Sequence, residues 1–256
     1  ARDDMQGGVV RVFVSSSDNP QDTEQAIFLR MAQITEDVNW RQSKNVKVLT
    51  LEHKMAASRL GFKNFYEALN KVSSYKQGLM DGSLSVIGVL THIMLPLYHA
   101  DLDNNPFEKA RIIKENALIF KRKDFVLSNE LLQELQTSVD SLSMCWLNRD
   151  PTCYELLHIV YKKNIFSISK DIERMFENPP SEDDEDFSKI NNLSTALNSS
   201  FSEVEQYWKY INGQACFDTH QGVKGLQFPR VMVVIDDDAA RTTTFSYDKL
   251  FGIKPK

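Results

Sequence analysis

Between Cys216 and Asp238 the chain reads CFDTHQGVKGLQFPRVMVVIDDD, a polar loop with two glycines set between apolar runs. Thr219, His220, Gln221, Lys224 and Gln227 bring a hydroxyl, an imidazole, two amides and an ammonium together beside Gly222 and Gly225. Such side chains grip phosphate or base, and glycine lets the backbone approach a ligand closely. The apolar run that follows, Val231 to Ile235, is unbroken, which predicts a strand buried on both faces of a parallel sheet. This is binding chemistry rather than bond-breaking chemistry. The chain holds no G-x-S-x-G turn to expose a serine nucleophile, and Cys145, Cys153 and Cys216 have no C-x-x-C spacing for a metal.

The elements that must position this loop come from both ends of the chain. Val9 to Val14 is expected as a first strand, and Pro20, after Asp18 or Asn19 as cap, opens a helix with Ile27, Met31, Ile34 and Val38 on one face, ending near Trp40. Val46 to Leu51 predicts a second strand, and Lys54 to Asn70 a helix with Ala57, Leu60 and Leu69 inward. Strands then give way to helical spacing. Leu84 to Tyr98 predicts a buried helix stopped near Pro96, and Pro106 opens another after Asn104 or Asn105. Ser128 precedes a long helix through Trp146, Asp150-Pro151 starts a fourth, and Ser169 caps a fifth. The segment NPPSEDDED, Asn178 to Asp186, reads as an exposed loop, followed by a single helix from Ile190 to Trp208 and a strand from Gln214 to Phe217.

The run T-H-Q-G-V-K-G-L-Q-F-P-R-V resembles motif V of the superfamily 1 DNA helicases of the UvrD, Rep and PcrA type, whose common form is T-x-H-x-x-K-G-L-E-F-x-x-V. His220, Lys224, Gly225, Leu226, Phe228 and Val231 fall at the family spacing. Two positions depart. Asp218 stands where the family has threonine, with Thr219 one place later, and Gln227 replaces a glutamate. The segment VKVLTLEHKMAASRLGFKNFYEAL, with Ser58 and Arg59, resembles the stretch just after motif IV.

The resemblance implies an α/β fold: a RecA-like parallel-sheet subdomain (1–71 and 213–256) interrupted by a mostly α-helical insertion (72–212), like subdomains 2A and 2B of that family. It implies that Thr219, His220 and Lys224 contact single-stranded DNA, and that Gly225 and Gln227 face the nucleotide. Lys224 can equally hold the loop by a salt bridge, and Gln227 can equally cap a short helix. No G-x-x-x-x-G-K-[ST] or D-E-x-Q segment occurs, so ATP and Mg2+ would be held only with an N-terminal RecA-like motor half, and this chain alone would carry no catalytic residue. The function implied is the C-terminal portion of an ATP-dependent DNA helicase; the alternative is a helicase-like docking module without catalysis.

Composition bounds both readings. With 256 residues, 42% of them hydrophobic, the chain can bury a core. A net charge of -5 provides no global field for nucleic acid, so DNA contact needs a local basic surface, for which Lys121-Arg122-Lys123 is the best run. Trp146, Tyr154, Tyr161, Phe166 and Trp208 sit at helical spacing, as core before stacking platforms, and His92, His99 and His158 read as packed or surface residues. Glu52-His53 after the second strand and Asp236 to Asp238 after Ile235 stand where α/β sheets meet ligands, although solvated strand ends look the same. Three cysteines, no membrane-length apolar run and no signal segment suit the cytoplasm.

Overall fold

The computed structural model describes residues 8–15, 19–121, 128–219, 222–235 and 252. His220, Gln221, Arg122, Lys123 and Asp236 to Asp238 lie outside them. The chain is mostly helical with a small parallel sheet, and it divides into two compact units: Ala1–Arg59 with Ala215–Lys256, and Leu60–Gln214.

In the first unit, helix α1 (Pro20–Thr35) begins where cap chemistry places it. Asn19 accepts a hydrogen bond from the Asp22 N–H, and Pro20 occupies the first turn, where its missing N–H costs nothing. The helix stops at Thr35 rather than near Trp40, because Glu36 turns left-handed at φ 55° and Asp37 then caps a separate 3-10 turn, Val38–Arg41. Strand β1 (Lys47–Thr50) lies between β2 (Phe217–Thr219) and β3 (Val231–Val233), both parallel to it. Val48 faces Phe217 on one side and Met232 on the other. Phe28, Met31, Ala32 and Trp40 pack with Val46, Val48 and Met232 into one core. Each such large side chain contributes roughly 1.5–3 kcal/mol by leaving water.

Two expectations for the sheet need correction. Residues 8–15 form no strand, and Val10 and Val12 are 83% and 70% exposed. Their β-branched side chains favour extended backbone, but a strand needs a ladder partner, and among the described residues none pairs with them. The run from Val231 is a strand, yet it is not buried on both faces. Met232 turns into the core and Val234 packs partly buried against it, while Val231, Val233 and Ile235 on the other side of the pleat are exposed.

The expected helix from Lys54 to Asn70 is two, α2 (His53–Leu60) and α3 (Lys63–Asn70), separated by Gly61 at φ 80°. Within the second unit, α3 packs beside α10 (Phe187–Leu197) and α11 (Phe201–Ile211), which the sequence suggested as one helix but which the turn at Asn198–Ser200 divides. Phe62 supplies no side-chain cap for α3. Glu203, buried on α11, does so instead, accepting the Phe65 N–H at 3.0 Å and the Asn64 amide at 3.1 Å. Tyr207 sits against Phe62 and Phe65, and its hydroxyl donates to the Leu79 carbonyl at 2.8 Å. Leu79 belongs to α4 (Lys76–Asp81).

Pro96 does not stop the run that contains it. Helical turns continue from Ser85 through a π-helical stretch, Leu90–Met94, into α5 (Leu95–Leu102), and the Leu95 N–H reaches back five residues to Leu90. The wider turn gives the pyrrolidine ring the room that a regular α turn denies it. Asn105 caps α6 (Pro106–Asn116) and Ser128 caps α7 (Asn129–Asn148), as their sequences suggest. The fourth helix starts later than Asp150-Pro151: α8 (Cys153–Lys163) opens with a capping box between Thr152 and Glu155. Ser169 caps α9 (Lys170–Glu177). The acidic loop after it is partly neutralised, since Arg174 pairs with Asp184 and Asp186.

Candidate nucleic-acid interface

The loop is held at the carboxyl end of β2, the end at which parallel sheets receive ligands. Asp218 and Thr219 fix its start. The Asp218 carboxylate accepts the Thr219 N–H on Oδ1 at 2.8 Å and meets the Lys47 ammonium through Oδ2 at 3.1 Å. Lys47 also donates to the Ala215 carbonyl at 3.4 Å and stands 5.7 Å from the centre of the Phe228 ring, so one β1 lysine ties both ends of the loop. Thr219 is buried, and its carbonyl and hydroxyl oxygens share the Gly222 N–H at 3.0 and 3.2 Å. The hydroxyl oxygen therefore closes the turn. Gly222 is close-packed: a Cβ on it would stand 2.5 Å from Asp218 Oδ1.

Beyond Gly222 the loop is open. Val223 is buried and anchors it, while Lys224, Gly225, Leu226 and Gln227 are exposed in succession. Gly225 has φ 82° with no heavy atom within 4 Å of an added Cβ, so the turn needs glycine for its backbone and leaves space above it. Among the described residues Lys224 forms no ion pair. The structure thus brings Lys224, Gly225 and Gln227 together on one exposed turn, whereas Thr219 is buried and bonded to Gly222 at the start of the loop; His220 lies outside the described residues.

Sequence reasoning gave Lys47 no part in this loop. Its contact with Asp218 spans distant segments brought together by parallel pairing, and no local signal announces it. His53, at the start of α2, faces the same carboxylate. Burial holds its imidazole below the ordinary value of 6.5, and the Asp218 charge pulls the other way. Arg230 pairs with Asp37 below β3, and that hydrogen bond holds the Asp37 carboxyl below its usual range. The aromatic side chains of the second unit divide: Trp146 and Phe166 are buried, whereas Tyr154, Tyr161 and Trp208 are half-buried. Cys153 is buried, and Cys145 and Cys216 are half-buried free thiols.

These features define a discontinuous α/β unit with a parallel sheet, interrupted by a helical unit and carrying an exposed glycine turn after its returning strand. The chain is similar to Gabija protein GajB of Bacillus cereus strain HuB5-5, at 22% identity over 271 aligned positions that cover 95% of this chain. It spans 38% of that protein's length. No protein-family model and no solved structure matches the chain. Among the described residues, no helix is long and apolar enough to cross a membrane.

Proposed function

We propose that the chain is the C-terminal motor portion of a superfamily 1 DNA helicase or translocase, a piece of a longer protein as its share of the Gabija relative suggests. The observation that carries this reading is the turn Lys224–Gln227. It is the part of the chain that resembles motif V, it leaves the carboxyl end of a parallel strand, and it presents an ammonium, a bare backbone and an amide to solvent. Lys224 would neutralise a DNA phosphate, and the resemblance makes His220 a further DNA contact. Gly225 and Gln227 would line one wall of an ATP cleft, the Gln227 amide bonding a ribose hydroxyl without acting as a base. The exposed amide and the open space over Gly225 fit a nucleotide contact. When bound, ATP with Mg2+ would supply the energy for strand movement. The phosphates would need a motor half beyond this chain, which has no phosphate-cradling loop of its own.

A docking module without catalysis is favoured by Asp218. A carboxylate pinned by Lys47 stands where the family has a DNA-contacting threonine, and it repels phosphate. One experiment separates the two readings: ATP hydrolysis and single-stranded DNA binding by the full-length protein, with and without Lys224→Ala. The motor reading expects DNA-stimulated hydrolysis, and a log-log salt slope of DNA affinity reduced by about 1 in the variant. An intact protein that hydrolyses no ATP with or without DNA overturns it and leaves the docking module.

A further inference from the structure

The second unit contains a cavity of about 370 Å³ between α5, α7 and the start of α11. Its aromatic wall is formed by Tyr98, Trp146 and Phe201, mutually in contact with ring centres 5.8 to 6.2 Å apart. Trp146 is fixed in place: its indole N–H donates to Asp101 Oδ2 at 2.9 Å, and Lys109 holds the other oxygen of that buried carboxylate at 2.7 Å. Leu147, 53% exposed, adds an aliphatic edge to the lining.

The polar lining is asymmetric in sign. Asp150 and Glu205 both line the cavity, and the charges of both raise the affinity of the Tyr98 hydroxyl for its proton, after burial itself. Arg149 also lines it, but its guanidinium is already bidentate on Glu155, at 2.9 and 3.0 Å. On Glu205, His99 and Lys209 both approach the same oxygen, Oε1, at 3.1 and 2.8 Å. Among the described residues Oε2 carries no hydrogen bond. Asp150 holds the Ser202 N–H and hydroxyl on separate oxygens, at 3.1 and 2.7 Å, which leaves each oxygen a second lone pair.

Aromatic faces, an aliphatic edge and carboxylates with acceptor capacity are complementary to a side chain with an apolar stem and a cationic head. The Asp150 carboxylate, which forms no ion pair among the described residues, repels phosphate, and this sets the cavity apart from a nucleic-acid track. We propose that this cavity of the helical unit is a docking pocket for an arginine or lysine side chain of a partner protein, the stem lying against Tyr98 and Leu147 and the head reaching Glu205 and Asp150. The proposal is independent of the motor reading, because the cavity lies wholly within Leu60–Gln214.

The test uses the full-length protein and the probe peptide acetyl-Gly-Arg-Gly-amide, with the citrulline peptide as its uncharged isostere and a short oligothymidine as competitor. Calorimetric titration is expected to give a dissociation constant on the order of 1 mM for the arginine peptide, as befits a single side chain. Citrulline should bind about tenfold more weakly, Glu205→Gln should weaken the arginine peptide about three- to fivefold, and the exposed Leu147→Ala should weaken both peptides alike. Oligothymidine should leave the affinity unchanged. Equal binding of citrulline and arginine, no binding of either near about 10 mM, or displacement by oligothymidine overturns the proposal. So does a Glu205→Gln protein that folds normally and binds as tightly as the original.

Discussion

Gly222→Ala tests how the loop is built. The added Cβ would stand 2.5 Å from Asp218 Oδ1 and 3.3 Å from Thr219 Oγ1, so the carboxylate must move. An unrestrained aspartate would swing aside at little cost. Asp218 is restrained on both oxygens, by the Thr219 N–H at 2.8 Å and by the Lys47 ammonium at 3.1 Å, and Lys47 is only 11% exposed in its side chain. Displacing the carboxylate weakens a charge-assisted hydrogen bond and a half-buried ion pair, for a cost of about 2 kcal/mol. The suitable assay is hydrogen exchange by mass spectrometry on the full-length protein, following amides such as Val48, which bonds the Cys216 carbonyl at 2.9 Å. A loss of about 2 kcal/mol accelerates exchange about 30-fold there. Asp218→Ala removes the clashing atom, so in that background Gly222→Ala should accelerate exchange less than about threefold. Equal acceleration in both backgrounds, or none in either, refutes the steric argument.

Tyr207→Phe should cost about 1–2 kcal/mol in urea unfolding, because it strips the buried Leu79 carbonyl of its 2.8 Å hydrogen bond without opening a cavity. The Glu24–Arg59 pair is almost enclosed, at 12% and 11% side-chain exposure, so Arg59→Leu alone should cost about 3–5 kcal/mol. The double variant Glu24→Leu with Arg59→Leu should recover most of that loss in the same unfolding assay. His53, held below its ordinary 6.5 by burial, is protonated first in the unfolded chain; its contribution to stability is complete above 6.5 and declines as pH falls below it. Urea midpoints taken at about pH 7.5 and about pH 5.5 should therefore drop on acidification, and the drop should shrink in His53→Gln.

The parts legible in the sequence were those set by local chemistry. Asn19 before Pro20, Asn105 before Pro106, Ser128 and Ser169 all cap the helices they precede, since a cap is decided within one turn. Strand β1 falls within the segment from Val46 to Leu51 that the sequence marks as a strand. What failed depends on remote partners. Val9 to Val14 has the composition of a strand, yet among the described residues it has no ladder to join, and Val231 and Val233 read as core although it is Met232 and Val234 that face it. Pro96 was read as a stop because the π turn that accommodates it leaves no mark in composition. At the loop, residue types marked the polar, glycine-bearing segment that holds Lys224 and Gln227, but not its exposure or Lys47 on β1 that ties its ends.

Parallel pairing also sets a clock. The Thr50 hydroxyl bonds the Asp218 carbonyl across 168 positions of chain, and β1 acquires neither neighbouring strand before that distance has been synthesised. At ribosomal speeds the wait is roughly 10–30 s. Through that interval the helices of Leu60–Gln214, whose caps are local, can form while β1 still has two open edges. The strand that waits is only Lys47–Thr50 and begins with a lysine, two features that discourage pairing with another nascent chain. Brevity in β1 thus protects the chain during its synthesis.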